Sequence, residues 1–132
     1  MERGFVGELL EKDLVYRIVG CAMKVHGEIG QGLREKTYER ALCVEFRHSG
    51  LPYDQQLAYP VFYRGEKIDE YIPDLEVEKR VLVDAKTIEA ITDLERGQML
   101  NYLRISGRSV GLIINFKPPA LEWERIVLDT AR

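Results

Sequence analysis

Ile72-Pro73-Asp74-Leu75 and, after a short charged stretch, Val81-Leu82-Val83-Asp84-Ala85-Lys86-Thr87 are the lines of sequence on which the fold turns. Residues 71–77 and 81–86 are strand-like runs separated by Glu78-Lys79-Arg80, a pattern that predicts a hairpin. Alternate side chains of a strand share a face, so Asp84 and Lys86 project to one side and Ala85 to the other. Pairing of the two runs then brings Asp74 toward Asp84, and two acids and a lysine converge on one point. Carboxylates at the end of an apolar strand are costly to bury alone, and a divalent cation is one partner that relieves their repulsion. The spacing suits metal-assisted chemistry at a phosphodiester.

Outward from this pair, Thr92-Asp93-Leu94-Glu95 has the form of a capping box and predicts a helix over 93–105, closed by Ser106-Gly107. Residues 110–116 are a continuous apolar run of the kind buried on both faces. They predict a central strand reached from 81–86 by a strand-helix-strand crossover, which makes the sheet mixed. Pro118-Pro119 interrupts the chain, and 121–128 returns as a final edge strand with Trp123, Ile126 and Leu128 available for packing. Toward the N-terminus, Leu10, Leu14, Ile18, Cys21, Ala22, Val25 and Ile29 recur at steps of three and four and predict an amphipathic helix over 8–29. Gly30-Gln31-Gly32 stops it, and a second helix is expected over 33–48. Residues 55–63 and 67–70 read as further strands. No repeat or low-complexity segment interrupts this order.

The 132 residues suit a single domain over 1–132, and an apolar content of 45% supplies a core without disulfides. No apolar run approaches the roughly 20 residues of a membrane span, and Glu2, Arg3 and Glu8 stand where a signal peptide needs an apolar stretch, so a cytoplasmic protein without membrane contact is expected. Cys21 and Cys43 fall in helical apolar patterns and form no Cys-x-x-Cys unit, which predicts buried free thiols rather than a zinc or redox site. His26 and His48 lack suitably spaced partners and read as structural or surface residues. A formal charge of −3 argues against coating nucleic acid by charge alone, but not against an enzyme acting on it. Arg17, Lys24, Arg34, Lys36, Arg40 and Arg104 are the basic candidates to line a groove.

The order of elements resembles that of the PD-(D/E)XK nuclease superfamily, whose signature is matched by Pro73-Asp74 and Asp84-Ala85-Lys86. Gln98-Met99-Leu100-Asn101-Tyr102, on the helix that follows, matches the Gln-x-x-x-Tyr pattern of RecB-like exonucleases in that superfamily. A closer resemblance is to the small bacterial and archaeal GxxExxY proteins, carried by Gly32-Leu33-Arg34-Glu35-Lys36-Thr37-Tyr38 with Val25-His26 and Gly50-Leu51-Pro52 beside it, over residues 16–127. Asp84 departs from the glutamate of many relatives and shortens that arm by one methylene.

The resemblance implies an α/β fold with a restriction-endonuclease-like core, a mixed β-sheet flanked by helices. It also implies a metal-dependent phosphodiesterase, a nuclease acting on DNA. Asp74, Asp84 and the carbonyl of Ala85 would ligate Mg²⁺ or Mn²⁺, ions that favour a hard oxygen shell. Lys86 would orient a water or stabilise the transition state. Glu35 would support the site from the preceding helix, Gln98 would contact the phosphate or Lys86, and Tyr102 the nucleic-acid backbone. The alternative function is a catalytically silent module of the same fold that binds nucleic acid or a protein partner. A homodimer through helix 8–29 is a further expectation.

The residues alone leave plainer readings open. Asp74 suits a turn former, and Asp84 with Lys86 a solvated ion pair on an edge strand. Glu35 suits the first turn of a helix by the macrodipole, and Gln98 and Tyr102 an ordinary helix flank. Tyr38 reads as a packing residue.

Overall fold

The computed structural model describes residues 10–129. Helix α1 (Lys12–Ile29) buries Leu14, Ile18, Cys21, Ala22 and Val25 of the expected stripe together with Val15, while Ile29 at its end is exposed and Leu10 precedes it; residues 8 and 9 of the expected helix lie outside the described residues. Gly30 ends it at φ 76°, a left-handed backbone that side chains disfavour, with its N–H donating to the His26 carbonyl. Helix α2 (Glu35–His48) starts two residues later than expected and turns Tyr38, Leu42, Cys43 and Phe46 inward. The Tyr38 hydroxyl donates to the Gly30 carbonyl at 2.6 Å and accepts from the Leu33 N–H at 3.3 Å, while its ring stacks on Phe116 at 4.4 Å. It is a packing residue that fixes the loop launching α2. Both cysteines are buried and free.

Seven strands follow: β1 (Tyr53–Gln55), β2 (Tyr59–Tyr63), β3 (Glu66–Tyr71), β4 (Leu75–Val77), β5 (Val81–Lys86), β6 (Val110–Asn115) and β7 (Glu122–Val127). Helix α3 (Asp93–Ser106) connects β5 to β6. The main sheet has the order β1-β4-β5-β6-β7, with β5 and β6 parallel and the other pairs antiparallel, so it is mixed and β7 is an edge, as expected. Strands β2 and β3 form a separate hairpin.

Two expectations need correction. Residues 55–63 are not one strand, because Gln56 adopts φ 60° and takes the chain out of the main sheet between β1 and β2. Residues 71–77 are not one strand either. Tyr71 closes β3, buried Pro73 offers no N–H for a ladder, and β4 begins at Leu75. The expected hairpin survives in shorter form, with Leu75, Glu76 and Val77 opposite Val83, Leu82 and Val81.

One face of the sheet packs Leu75, Val77, Val81, Val83, Ala85, Leu112 and Ile114 against α1 and α2. The other packs Leu82 and Ile113 against Met99 and Leu103 of α3. Contact there is close. A Cβ on Gly111 of β6 would lie 2.3 Å from the Met99 sulfur, which only glycine avoids. The capping box forms as the sequence predicts, with the Thr92 N–H donating to Glu95 at 2.6 Å and the Leu94 N–H to the Thr92 hydroxyl at 3.3 Å. Among the described residues no helix is long and apolar enough to cross a membrane.

Candidate active site

Pairing of β4 with β5 stops at Leu75 and Val83, which frees the next N–H of β5 on that side. Asp74 takes it: the Ala85 N–H donates to the Asp74 carboxylate at 2.9 Å. Asp84, between Val83 and Ala85, shares the face of Leu82, toward α3, and is 7% exposed. Through the Ala85 N–H, Asp74, just before β4, is tied to β5, the strand that carries Asp84. Burial, then the negative charge of Asp74, pushes the Asp84 carboxyl up to about 7, with Lys86 opposing the shift. Burial also raises Asp74, and the Ala85 N–H works against it. The charges of Glu39 and Glu35 raise it further. Burial thus favours the protonated form of both carboxyls, and for Asp84 the negative charge of Asp74 adds to it.

Lys86 follows on the same strand face, half-buried, and among the described residues it closes no ion pair within 4 Å. Its charge still reaches both acids. The chain beyond it is fixed by Asn115, its register partner on β6. The Asn115 amide donates to the Ile88 carbonyl at 2.9 Å and its oxygen accepts from the Ile88 N–H at 3.0 Å.

Glu35 meets the site where β5 ends, accepting from the Thr87 N–H at 3.1 Å. Tyr102 also arrives, and its hydroxyl feels the charge of Asp84 after the effect of burial. Gln98 is half-buried one turn earlier on α3. The structure thus gathers Asp74, Asp84, Ala85, Lys86, Glu35 and Tyr102 around the end of β5, and sets Gln98 on the neighbouring turn. Four of the expected basic candidates have partners in the structure. Arg17 and Lys24 are occupied by Glu78, the Ser49 carbonyl and Glu45 around the far end of α2, and Arg104 donates to Asn101 within α3. Lys36 alone of these joins the site's acids, at 3.2 Å from Glu39.

Sequence reasoning missed two residues. Glu39, one turn after Glu35, is 3% exposed and accepts from Gln55 at 2.7 Å, Gln56 at 2.9 Å and Lys36. The four-residue step from Glu35 was the available signal. Tyr71 lies face to face on Tyr102, with ring centroids 3.8 Å apart and 10° between planes. Its hydroxyl is sealed from solvent and, among the described residues, is the buried side-chain polar atom without a hydrogen-bond partner. Such an atom costs on the order of 1–3 kcal/mol. No sequence pattern marks it.

The donor set fits a hard divalent cation. A buried carboxylate, Asp84, whose proton affinity is raised by the half-buried Asp74 beside it, favours an oxygen-ligated cation over soft-metal chemistry. Among the described residues no three His, Cys, Asp or Glu side chains converge as a closed protein cage requires. Mg²⁺-type sites use one or two carboxylates and leave the remaining positions to water and phosphate.

The model of the PD-(D/E)XK nuclease superfamily matches residues 12–126. Among solved structures, that titled SSO0001 aligns with a TM-score of 0.57 at 15% identity, over 73% of this chain and 52% of that one. An alkaline exonuclease, LHK-Exo from Laribacter hongkongensis, aligns at 0.48 and 15%, over 73% and 56%. The chain spans little more than half the length of either, and no curated protein sequence matches it. Likeness at such identity speaks for the fold, a restriction-endonuclease-like core with a mixed sheet between helices. Since the sequence match runs from the start of α1 to within β7 and takes in every strand of the sheet, the chain belongs to the PD-(D/E)XK nuclease superfamily.

Proposed function

We propose that the chain is a metal-dependent nuclease that hydrolyses phosphodiester bonds, with DNA as substrate. The observation that carries the reading is the Asp74–Asp84 pair at the end of β5, held by the Ala85 N–H and followed by a lysine that no acid neutralises by contact. Asp74, Asp84 and the Ala85 carbonyl would hold Mg²⁺ or Mn²⁺. Such an ion, when bound, polarises a phosphoryl oxygen and lowers the pKa of water. Lys86 offers three donors and a positive charge beside the acids, suited to orienting the attacking water and to the charge that grows on phosphorus-bound oxygens. Glu35 holds the Thr87 N–H and so sets the direction in which the strand delivers Lys86. Gln98 contributes an amide to the phosphate or to Lys86, and Tyr102 a ring and hydroxyl to the nucleic-acid backbone. The DNA assignment and placement near RecB-like exonucleases rest on Gln98 and Tyr102, and placement among GxxExxY proteins on Gly32, Glu35 and Tyr38.

The test compares native protein with Lys86→Ala on labelled single- and double-stranded DNA and RNA, with Mg²⁺ or Mn²⁺. Metal-dependent cleavage that falls about 10²-fold or more in the variant is expected. Equal traces from both proteins would mark a contaminant. A second reading, a silent module in an assembly with nucleic acid or a protein partner, or with a second copy, draws on the formal charge of −3, which gives weak affinity for a phosphate backbone and leaves targeting to a partner. Nucleic-acid binding that needs neither metal nor Lys86 would favour it.

A further inference from the structure

Tyr71 and Tyr59 stand opposite each other in the register of the β2–β3 hairpin, and Tyr71 packs with Tyr102 against the cluster around Leu82, on the sheet face that also carries Asp84. The Tyr59 hydroxyl donates to the carboxylate of Glu76. Among the described residues the Tyr71 hydroxyl donates to nothing, although it is sealed from bulk solvent. Of the charged groups acting on it, Asp84 ranks first and Asp74 second. Its ring is fixed by the stack on Tyr102, for which phenylalanine would serve equally. Its chain position is fixed by Ile72 and buried Pro73, which lead directly to Asp74. A buried donor without a partner, its ring held by Tyr102 on the sheet face that carries Asp84, is arranged for something that arrives with an oxygen.

We propose that Tyr71 is a positioning residue of the candidate site, whose hydroxyl donates a hydrogen bond to an oxygen of the group that binds beside Asp84. That oxygen belongs to the hydration shell of a divalent cation or to a phosphate. The chemistry is the same in either case: a neutral O–H donor that steers an oxygen without adding charge to a site already crowded with carboxylates. Burial, followed by the neighbouring acids, raises the phenol's pKa, so the proton is retained and the group remains a donor across the working pH range. The inference rests on the nuclease reading of the Asp74–Asp84 pair.

The experiment compares wild type, Tyr71→Phe and Asp84→Ala by thermal melting without metal, and by calorimetric titration with Mn²⁺ alone and then with inorganic phosphate on the Mn²⁺-loaded protein. Tyr71→Phe should melt no lower than wild type without metal, because the lost hydroxyl has no partner there. Mn²⁺ affinity reduced fivefold or more assigns the oxygen to the cation's water. Unchanged Mn²⁺ affinity with fivefold weaker phosphate assigns it to phosphate. Equal binding of both by Tyr71→Phe and wild type, or a metal-free variant melting several degrees lower, overturns the proposal. Wild type that takes up no Mn²⁺, or Asp84→Ala that takes it up equally well, removes the nuclease reading and this inference with it.

Discussion

Glu76 on β4 and Asp84 on β5 are both buried acids on the face of the sheet toward α3, yet they are surrounded in opposite ways. Glu76, fully buried, receives Arg108 through Nε at 3.1 Å and Nη2 at 3.4 Å, together with the Tyr59 hydroxyl. Its charge is answered on the spot, and it ties the hairpin to the α3–β6 connection. Asp84 faces a second acid, a lysine that stays beyond contact, and a tyrosine that does not bond to it. Burial alone therefore does not mark a functional acid. Glu76 has its charge answered by a cation in contact, whereas among the described residues Asp84 has none.

The contrast can be broken most forcefully at its two cations. Arg108→Ala strands Glu76 as an unpaired buried charge and should cost about 3 kcal/mol in urea unfolding. Lys86→Ala should cost less than about 0.5 kcal/mol while removing cleavage. Equal destabilisation by both would erase the distinction.

A sharper version uses pH. The Asp84 carboxyl, raised to about 7 in the folded chain from an ordinary value of 3.8, makes the metal-free fold bind more protons than the unfolded chain between these values. Stability should then decline as pH rises through that window. Asp84→Asn should be more stable than wild type at pH 8, by on the order of 2 kcal/mol, with the gap closing toward pH 4. Proton and cation compete for this group, so Mn²⁺ uptake and cleavage by the wild type should rise from pH 6 to 8. A flat profile would count against Asp84 as a ligand.

The smallest expected effect compares the two tyrosines. Tyr59→Phe removes a donor from Glu76 and should cost about 1–2 kcal/mol by thermal melting. Tyr71→Phe in the absence of metal should cost nothing.

Much of this was legible from periodicity. Asp84 and Lys86 share a strand face because the period is two, and the apolar run at Val110–Asn115 announced a strand buried on both sides. The capping box located α3 to within a residue. What escaped depends on contacts distant in sequence. The break at Gln56 goes with a side-chain amide that reaches Glu39, seventeen residues away, and local propensity cannot register such a bond. Glu39 itself was hidden behind Glu35, although both lie on one helix face. Tyr71 is an ordinary strand residue until the stack on Tyr102 and the missing partner of its hydroxyl are seen in three dimensions.

The two hydrogen bonds that brace the site also differ in how far along the chain they reach. Ala85 and Asp74 are 11 residues apart, whereas Thr87 and Glu35 are 52 apart. Closing the longer loop costs about 1.4 kcal/mol more chain entropy. The acid pair is thus the more local assembly of the two. In hydrogen exchange the Thr87 amide should open at lower free energy than that of Ala85, and loosening α2 should release Glu35 while leaving the two aspartates together.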